Sequence, residues 1–194
     1  MREEFRLLVG LGNPGSEYAS TRHNLGFRVA DRLAKTTGTG FRRGYGGLWA
    51  IMPGPGKGLC LLKPQTFMNL SGKSVAALCR ERGISPGEIL VACDDLDLPL
   101  GRLRLRRGGG TGGHRGLASI VGTLGTNEFA RLRLGVGRPP EGMDAAAYVL
   151  TPFTPLEEGK VLATVERAIL TVEILGKQGW EAAMNFGHAP EPVP

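Results

Sequence analysis

The segment Ile89–Cys93 (ILVAC) is apolar at every position and runs directly into two carboxylates, Asp94 and Asp95. Five apolar residues in a row are too few for a buried helix. Neighbouring side chains of a strand point to opposite faces, so this strand is apolar on both. Such a strand belongs in the middle of a sheet whose two faces are covered by helices. The chain must therefore supply helices for both sides and partners for both edges. Acids at the carboxyl end of a central strand also fall where open α/β sheets form their ligand crevice.

The remaining segments meet that requirement. Phe5–Gly10 reads as a short buried strand, Leu59–Lys63 as another stopped by Pro64, and Leu132–Val136 as a third. Residues 102–106 alternate Arg and Leu, which predicts a strand with one wet face. Phe27, Ala30, Leu33 and Ala34 repeat at helical spacing within Asn24–Lys35. A second helix is expected over Ser71–Arg82, with Ser71 as its cap and Val75, Leu78 and Cys79 inward. Leu117, Ile120, Val121 and Leu124 mark a third, after a glycine-rich loop. Ser85-Pro86-Gly87-Glu88 and Thr154-Pro155-Leu156-Glu157 both have capping-box spacing with proline at the first helical position. The second opens a long helix expected to bury Val161, Leu162, Val165, Ala168, Ile169, Val172 and Leu175, and a short helix follows around Trp180–Met184. Residues 38–58 should hold loops, with at most short strands around Leu48–Met52. The expected fold class is α/β: a single domain over residues 1–187, with a twisted, mixed, largely parallel sheet flanked by helices on both faces. Residues 188–194, His188 among them, carry three prolines in the last five positions and are expected to be a disordered tail.

Several classes are excluded. No apolar run approaches the length of a membrane span, and the start, Met-Arg-Glu-Glu-Phe, is too charged for a secretory signal. Cys60, Cys79 and Cys93 are odd in number and far apart, so they read as reduced thiols of a cytoplasmic protein. Gly10-Leu-Gly-Asn-Pro-Gly15 matches G-x-G-x-x-G after a strand, but dinucleotide binding is rejected. Pro14 has no N–H to offer a pyrophosphate, and Asp31, the nearest acid at the right distance, lies inside a helix rather than at a strand end. The turn is better read as aiming the Asn13 side chain outward.

Charge points to a polyanion. Residues 1–138 carry 21 basic and 10 acidic residues, whereas residues 139–194 carry 3 and 8. Arginine supplies 18 of the 24 basic residues, and its planar fork suits phosphate. Arg102, Arg104 and Arg106 share one strand face, and Arg131 and Arg133 repeat the alternation. No acid interrupts residues 102–127, and a glycine-rich loop (108–113) lies beside the stripe without a Walker lysine. This combination fits phosphate binding, with nucleic acid as the leading partner. Aromatics are only 6% of the chain, so base stacking is not the expected mode.

Polar groups gather at the strand ends. Asn13 follows the first strand, Asn69 the strand that ends at Lys63, and Asp94 the central strand. His23 opens the first helix and His114 the third. A carboxylate that accepts an imidazole N–H fixes the tautomer and stabilises the imidazolium, so His23 and Asp94 suit a general base and its orienting acid. No closely spaced ligand pair supports a metal site from His23, His114 and Asp94. No G-x-S-x-G or activated cysteine motif supplies a nucleophile, which leaves water as the attacking group.

Four segments, VGLGNPGSEYASTRHNLG (9–26), KPQTFMNLSGKSV (63–75), DDLDLPLGRLRLRRGGGTGGHRG (94–116) and RLRLGVG (131–137), together resemble the bacterial peptidyl-tRNA hydrolase family. The resemblance implies hydrolysis of the ester between a peptide and the terminal ribose of tRNA, in the service of translation and ribosome rescue. The family's base then falls on His23, its orienting acid on Asp94, and its positioning amides on Asn13 and Asn69. Further substrate contacts fall on Tyr18, Phe67, His114 and Arg115. The residues gripping tRNA phosphate, at the acceptor stem and 3′ end, look like Arg104, Arg106 and Arg133. The resemblance implies no cofactor, no metal, no membrane partner and a monomer. One position departs from the pattern: the family's GGHNG is GGHRG here, so Arg115 replaces an asparagine and a hydrogen-bond acceptor is lost. A non-catalytic RNA-binding relative, like the splicing-factor branch that resembles this family, is the alternative; the intact His23, Asp94, Asn13 and Asn69 set favours the enzyme.

Overall fold

The computed structural model describes residues 5–53 and 58–189. Among the described residues, seven strands form one mixed sheet: β1 (Leu7–Gly10), β2 (Arg42–Gly44), β3 (Gly47–Met52), β4 (Leu59–Pro64), β5 (Ile89–Asp95), β6 (Leu103–Arg106) and β7 (Ala130–Gly135). The spatial order is β2-β3-β4-β1-β5-β7-β6. The inner four strands are parallel, while β3 pairs antiparallel with β4 and β6 antiparallel with β7. All seven residues of β5 are buried, as its unbroken apolar run requires. In β6 burial alternates, with the leucines inside and the arginines outside.

The helices divide between the faces. Leu8, Leu90, Ala92, Leu105 and Leu132 pack on one side with α1 (Leu25–Thr36), α5 (Pro155–Gln178) and α6 (Trp180–His188). Val9, Leu62, Val91, Cys93 and Phe129 pack on the other with α2 (Ser71–Arg82) and α3 (Arg115–Leu124). A short helix, α4 (Ala145–Val149), was not foreseen, and Asp144 caps it by accepting from the Ala147 amide. Both capping boxes are present, at Ser85–Glu88 and Thr154–Glu157.

Five expectations need correction. The segment 42–52 holds more strand than its glycines suggested: the short strand expected around Leu48–Met52 is present as β3, but it forms a hairpin with β2 whose turn residues, Tyr45 and Gly46, both have positive φ (55° and 68°), while residues 54–57 of the expected loop lie outside the described residues. That pair of φ values is what a two-residue hairpin turn needs. Ser71 is the first residue of α2 and not its cap; Leu70 holds that place and the Ser71 hydroxyl is buried without a partner among the described residues. Leu162 faces solvent, because α5 packs only one side on the sheet. Arg131 is buried, with its guanidinium over Phe129 and bonded to the Asn127 and Phe129 carbonyls. His188 ends α6, and its Nε2 accepts from the backbone N–H of Leu105 (2.9 Å) on the sheet's edge strand. The rest of the expected tail, residues 190–194, lies outside the described residues.

Gly10 of the rejected dinucleotide fingerprint and Gly26 in the first turn of α1 serve packing. A Cβ on Gly10 would collide with the Gly26 carbonyl, and one on Gly26 with the Ala92 carbonyl and the Leu11 backbone. Helix α1 therefore lies with its first turn directly on the strand backbones, and the residues just before it reach the end of β5. We expect Gly26→Ala to lower stability by about 2–3 kcal/mol, since backbone cannot yield as a side chain would; urea unfolding of the two proteins measures it, and an unchanged midpoint would contradict this close approach.

Candidate active site

Three consecutive residues ahead of α1 have three separate partners. Arg22 is buried, donates to Glu157 Oε2 (2.9 Å) and to Thr151 Oγ1 (3.3 Å), and lies over the rings of Tyr148 and Phe153. It clamps the turn Arg22–Asn24 to α4 and α5. Asn24 accepts from the Asn13 amide (2.8 Å) and donates to the Asn13 carbonyl (2.9 Å), so it ties this turn to the loop after β1. Between them, His23 Nδ1 lies 2.8 Å from Asp94 Oδ1.

His114 reaches the same oxygen from another direction, with Nε2 3.0 Å from Asp94 Oδ1. Its other nitrogen, Nδ1, accepts from the Gly116 and Leu117 amides at the start of α3 (3.1 and 3.3 Å). An acceptor nitrogen carries no proton, so the proton of neutral His114 is on Nε2 and is donated to Asp94. The remaining bond to Asp94 is donated by His23 Nδ1–H, which leaves His23 Nε2 with its lone pair and no partner among the described residues. The two rings lie 4.8 Å apart, centre to centre.

Asp94 is 4% exposed. Burial alone would raise its carboxyl pKa; His114 first, by charge and hydrogen bond, and then His23 outweigh this and hold it well below the usual carboxylate range. Ligand atoms of His23, Asp94 and His114 lie within 4.8 Å of one another, close enough for a metal ion. The proton on His114 Nε2, however, occupies the lone pair that an ion would need. The trio is better described as two imidazoles donating to one carboxylate.

Asn13 completes the centre. Its Oδ1 accepts from the Met68 amide (2.9 Å), which fixes the orientation of the carboxamide and leaves Nδ2 as its free donor. Asn13, Tyr18, His23, Phe67, Asn69, Asp94, His114, Arg115 and Arg133 all line one cleft of about 610 Å³. Arg104 and Arg106 do not line it; they lie exposed on β6, where Arg104 is directly opposite Arg133 in the sheet register. Arg133 Nε is 2.5 Å from Asp95 Oδ2, so one wall of the cleft carries a paired cation. Cys93 also lines the cleft. Burial pushes its thiol above the usual range, with Asp94 and Asp95 adding to the effect, so it cannot act as a thiolate nucleophile near neutrality.

Sequence reasoning missed Asn24 and the clamp at Arg22, although both flank His23. The only available signal was their adjacency, because their partners lie 11 and 135 residues away. The cleft wall formed by Ala145, Val149 and Leu150 was missed together with α4.

Comparison with known proteins gives a consistent answer. A family model described as peptidyl-tRNA hydrolase matches residues 7–192. A peptidyl-tRNA hydrolase of Mycobacterium tuberculosis (strain H37Rv) is 49% identical over 185 residues, covering 94% of this chain and 97% of its own. One from Mycobacterium sp. (strain KMS) is 48% identical over the same length, covering 94% of this chain and 96% of its own. The crystal structure of a peptidyl-tRNA hydrolase from Acinetobacter baumannii superposes with a TM-score of 0.92 at 37% identity, covering 100% of this chain and 99% of that one.

The lowered Asp94 pKa has a pH consequence of definite sign. A carboxyl whose native pKa lies below its unfolded value (about 3.9) stabilises the fold above that value and loses the contribution as pH falls toward the native pKa. The stability difference between the wild type and Asp94→Asn should thus shrink as pH falls below about 4. Chemical denaturation across this range tests it, and a difference independent of pH would refute it.

Proposed function

The chain belongs to the peptidyl-tRNA hydrolase family and hydrolyses peptidyl-tRNA, and from that premise we propose that His23 is the general base, Asp94 its orienting acid, and water the nucleophile. His23 Nε2 takes a proton from water as the water oxygen attacks the ester carbonyl carbon. Asn13 Nδ2, aided by Asn69, donates to the carbonyl oxygen as it gains charge. The intermediate collapses by breaking the bond to the ribose oxygen, which receives the proton from His23. Asp94 stays ionised throughout and stabilises the imidazolium. His114 is a positioning residue that keeps Asp94 turned toward His23. The observation that carries this reading is the 2.8 Å bond between His23 Nδ1 and Asp94 Oδ1, which leaves Nε2 unbonded in the cleft beside Asn13. The reaction needs no metal or cofactor on this reading.

Tyr18, Phe67, His114 and Arg115 form the rest of the substrate-binding wall. Arg104, Arg106 and Arg133 take tRNA phosphates at the acceptor stem and 3′ end, with the protein acting as a monomer in the cytoplasm. No helix of the described residues is long and apolar enough to cross a membrane. The non-catalytic RNA-binding alternative is not favoured, because the relatives at 48–49% identity are hydrolases by name.

Release of peptide from N-acetyl-aminoacyl-tRNA tests the assignment. We expect His23→Ala to reduce kcat about 10²- to 10⁴-fold and Asn13→Ala about 10²- to 10³-fold; full activity in His23→Ala would remove the base. For the stripe, Arg106→Ala and Arg133→Ala should each weaken tRNA binding and lower the slope of log affinity against log salt by about 1. An unchanged slope in both variants would argue against phosphate contact.

A further inference from the structure

The two arginines that line the cleft differ in one respect. Arg133 is paired with Asp95, whereas Arg115 has no hydrogen bond, ion pair or ring contact among the described residues. Its side chain is exposed and borders the cleft. It also stands at the first position of α3, the end of a helix where the dipole disfavours a cation. The amides that would otherwise attract an anion there, Gly116 and Leu117, are already bonded to His114. Those two amides are therefore taken, and the guanidinium of Arg115 is the charged donor beside them at this corner of the cleft.

The reaction fixes where an anion lies. The ester must sit between His23 Nε2 and Asn13 Nδ2. The nearest charge common to every substrate is the phosphodiester on the 5′ carbon of the same terminal nucleoside. Arg115 directly follows His114, whose ring lies 4.8 Å from that of His23, so its long side chain begins one residue from the imidazole that braces the catalytic pair. Building on the proposed function, we infer that Arg115 binds the phosphodiester on the 5′ side of the terminal nucleoside, and so selects an ester carried by a polynucleotide over the same ester on an uncharged alcohol. Arg133, Arg104 and Arg106 continue the track away from the cleft, since Arg133 lies opposite Arg104 and β6 carries Arg106 beyond it.

The test is a cycle on full-length peptidyl-tRNA. One substrate carries a neutral methylphosphonate in place of that single phosphodiester, and each substrate is hydrolysed by the wild type and by Arg115→Gln. We expect the substrate change alone and the variant alone each to lower kcat/KM about 10- to 100-fold, the range for a lost hydrogen bond to a charged group. Both changes together should cost no more than either one. Independent, multiplicative losses would overturn the proposal, as would a variant that loses nothing on the unmodified substrate. Hydrolysis of unmodified substrate by the wild type, and its loss in His23→Ala, tests the underlying reading separately.

Discussion

A single oxygen, Asp94 Oδ1, holds the site together. It lies near the end of the fully buried β5 and accepts from imidazoles 71 and 20 residues away in sequence. Removing a carboxylate from water is costly, and burial alone would favour its protonated form. Two N–H donors reverse that preference. Because His114 is itself anchored to the first amides of α3, the carboxylate is braced from one side and directs the other imidazole. The ionised state, the tautomer of His23 and the free Nε2 all follow from this arrangement.

Backbone packing brings the rings to that oxygen. Gly10 and Gly26 allow α1 to lie against β1 and β5 at a distance no side chain would permit. Arg22 and Asn24 then hold the turn between them, one against α4 and α5 and the other against Asn13. Gly10, part of the sequence that imitates a nucleotide motif, thus helps to place a histidine instead.

The uneven charge of the chain also acquires a structural meaning. Glutamates of the acidic last third pair with arginines at and within α1: Glu157 with Arg22, Glu158 with Arg28, and Glu166 with Arg32. The exposed pairs among these add little stability, but they neutralise the basic side of that helix. Arg131 is withdrawn into the core, and Arg133 is held by Asp95. Arg104, Arg106 and Arg115 have no ion pair among the described residues, and they lie beside the cleft and along the sheet edge next to it.

Much of this was legible in the sequence because it depends on local periodicity. The ILVAC run, the Arg-Leu alternation of β6 and the two capping boxes each specify an element from its own residues. The candidate site was readable to the extent that its members sit at strand ends and helix starts, as Asn13, His23, Asp94 and His114 do. Misreadings arose where a partner decides the outcome. Arg131 and Arg133 share a strand face and a residue type, yet one is buried over Phe129 and bonded to the Asn127 and Phe129 carbonyls, while the other lines the cleft and pairs with Asp95. The hairpin at Tyr45 was hidden because glycine- and proline-rich sequence looks alike in a loop and in a tight turn. The amino-acid order alone determined the elements, their layering and the chemical groups available for catalysis. Only the tertiary structure decided that both histidines meet one carboxylate oxygen, which nitrogen is left free and which arginine stays unpaired, since those are distances between segments that no local pattern encodes.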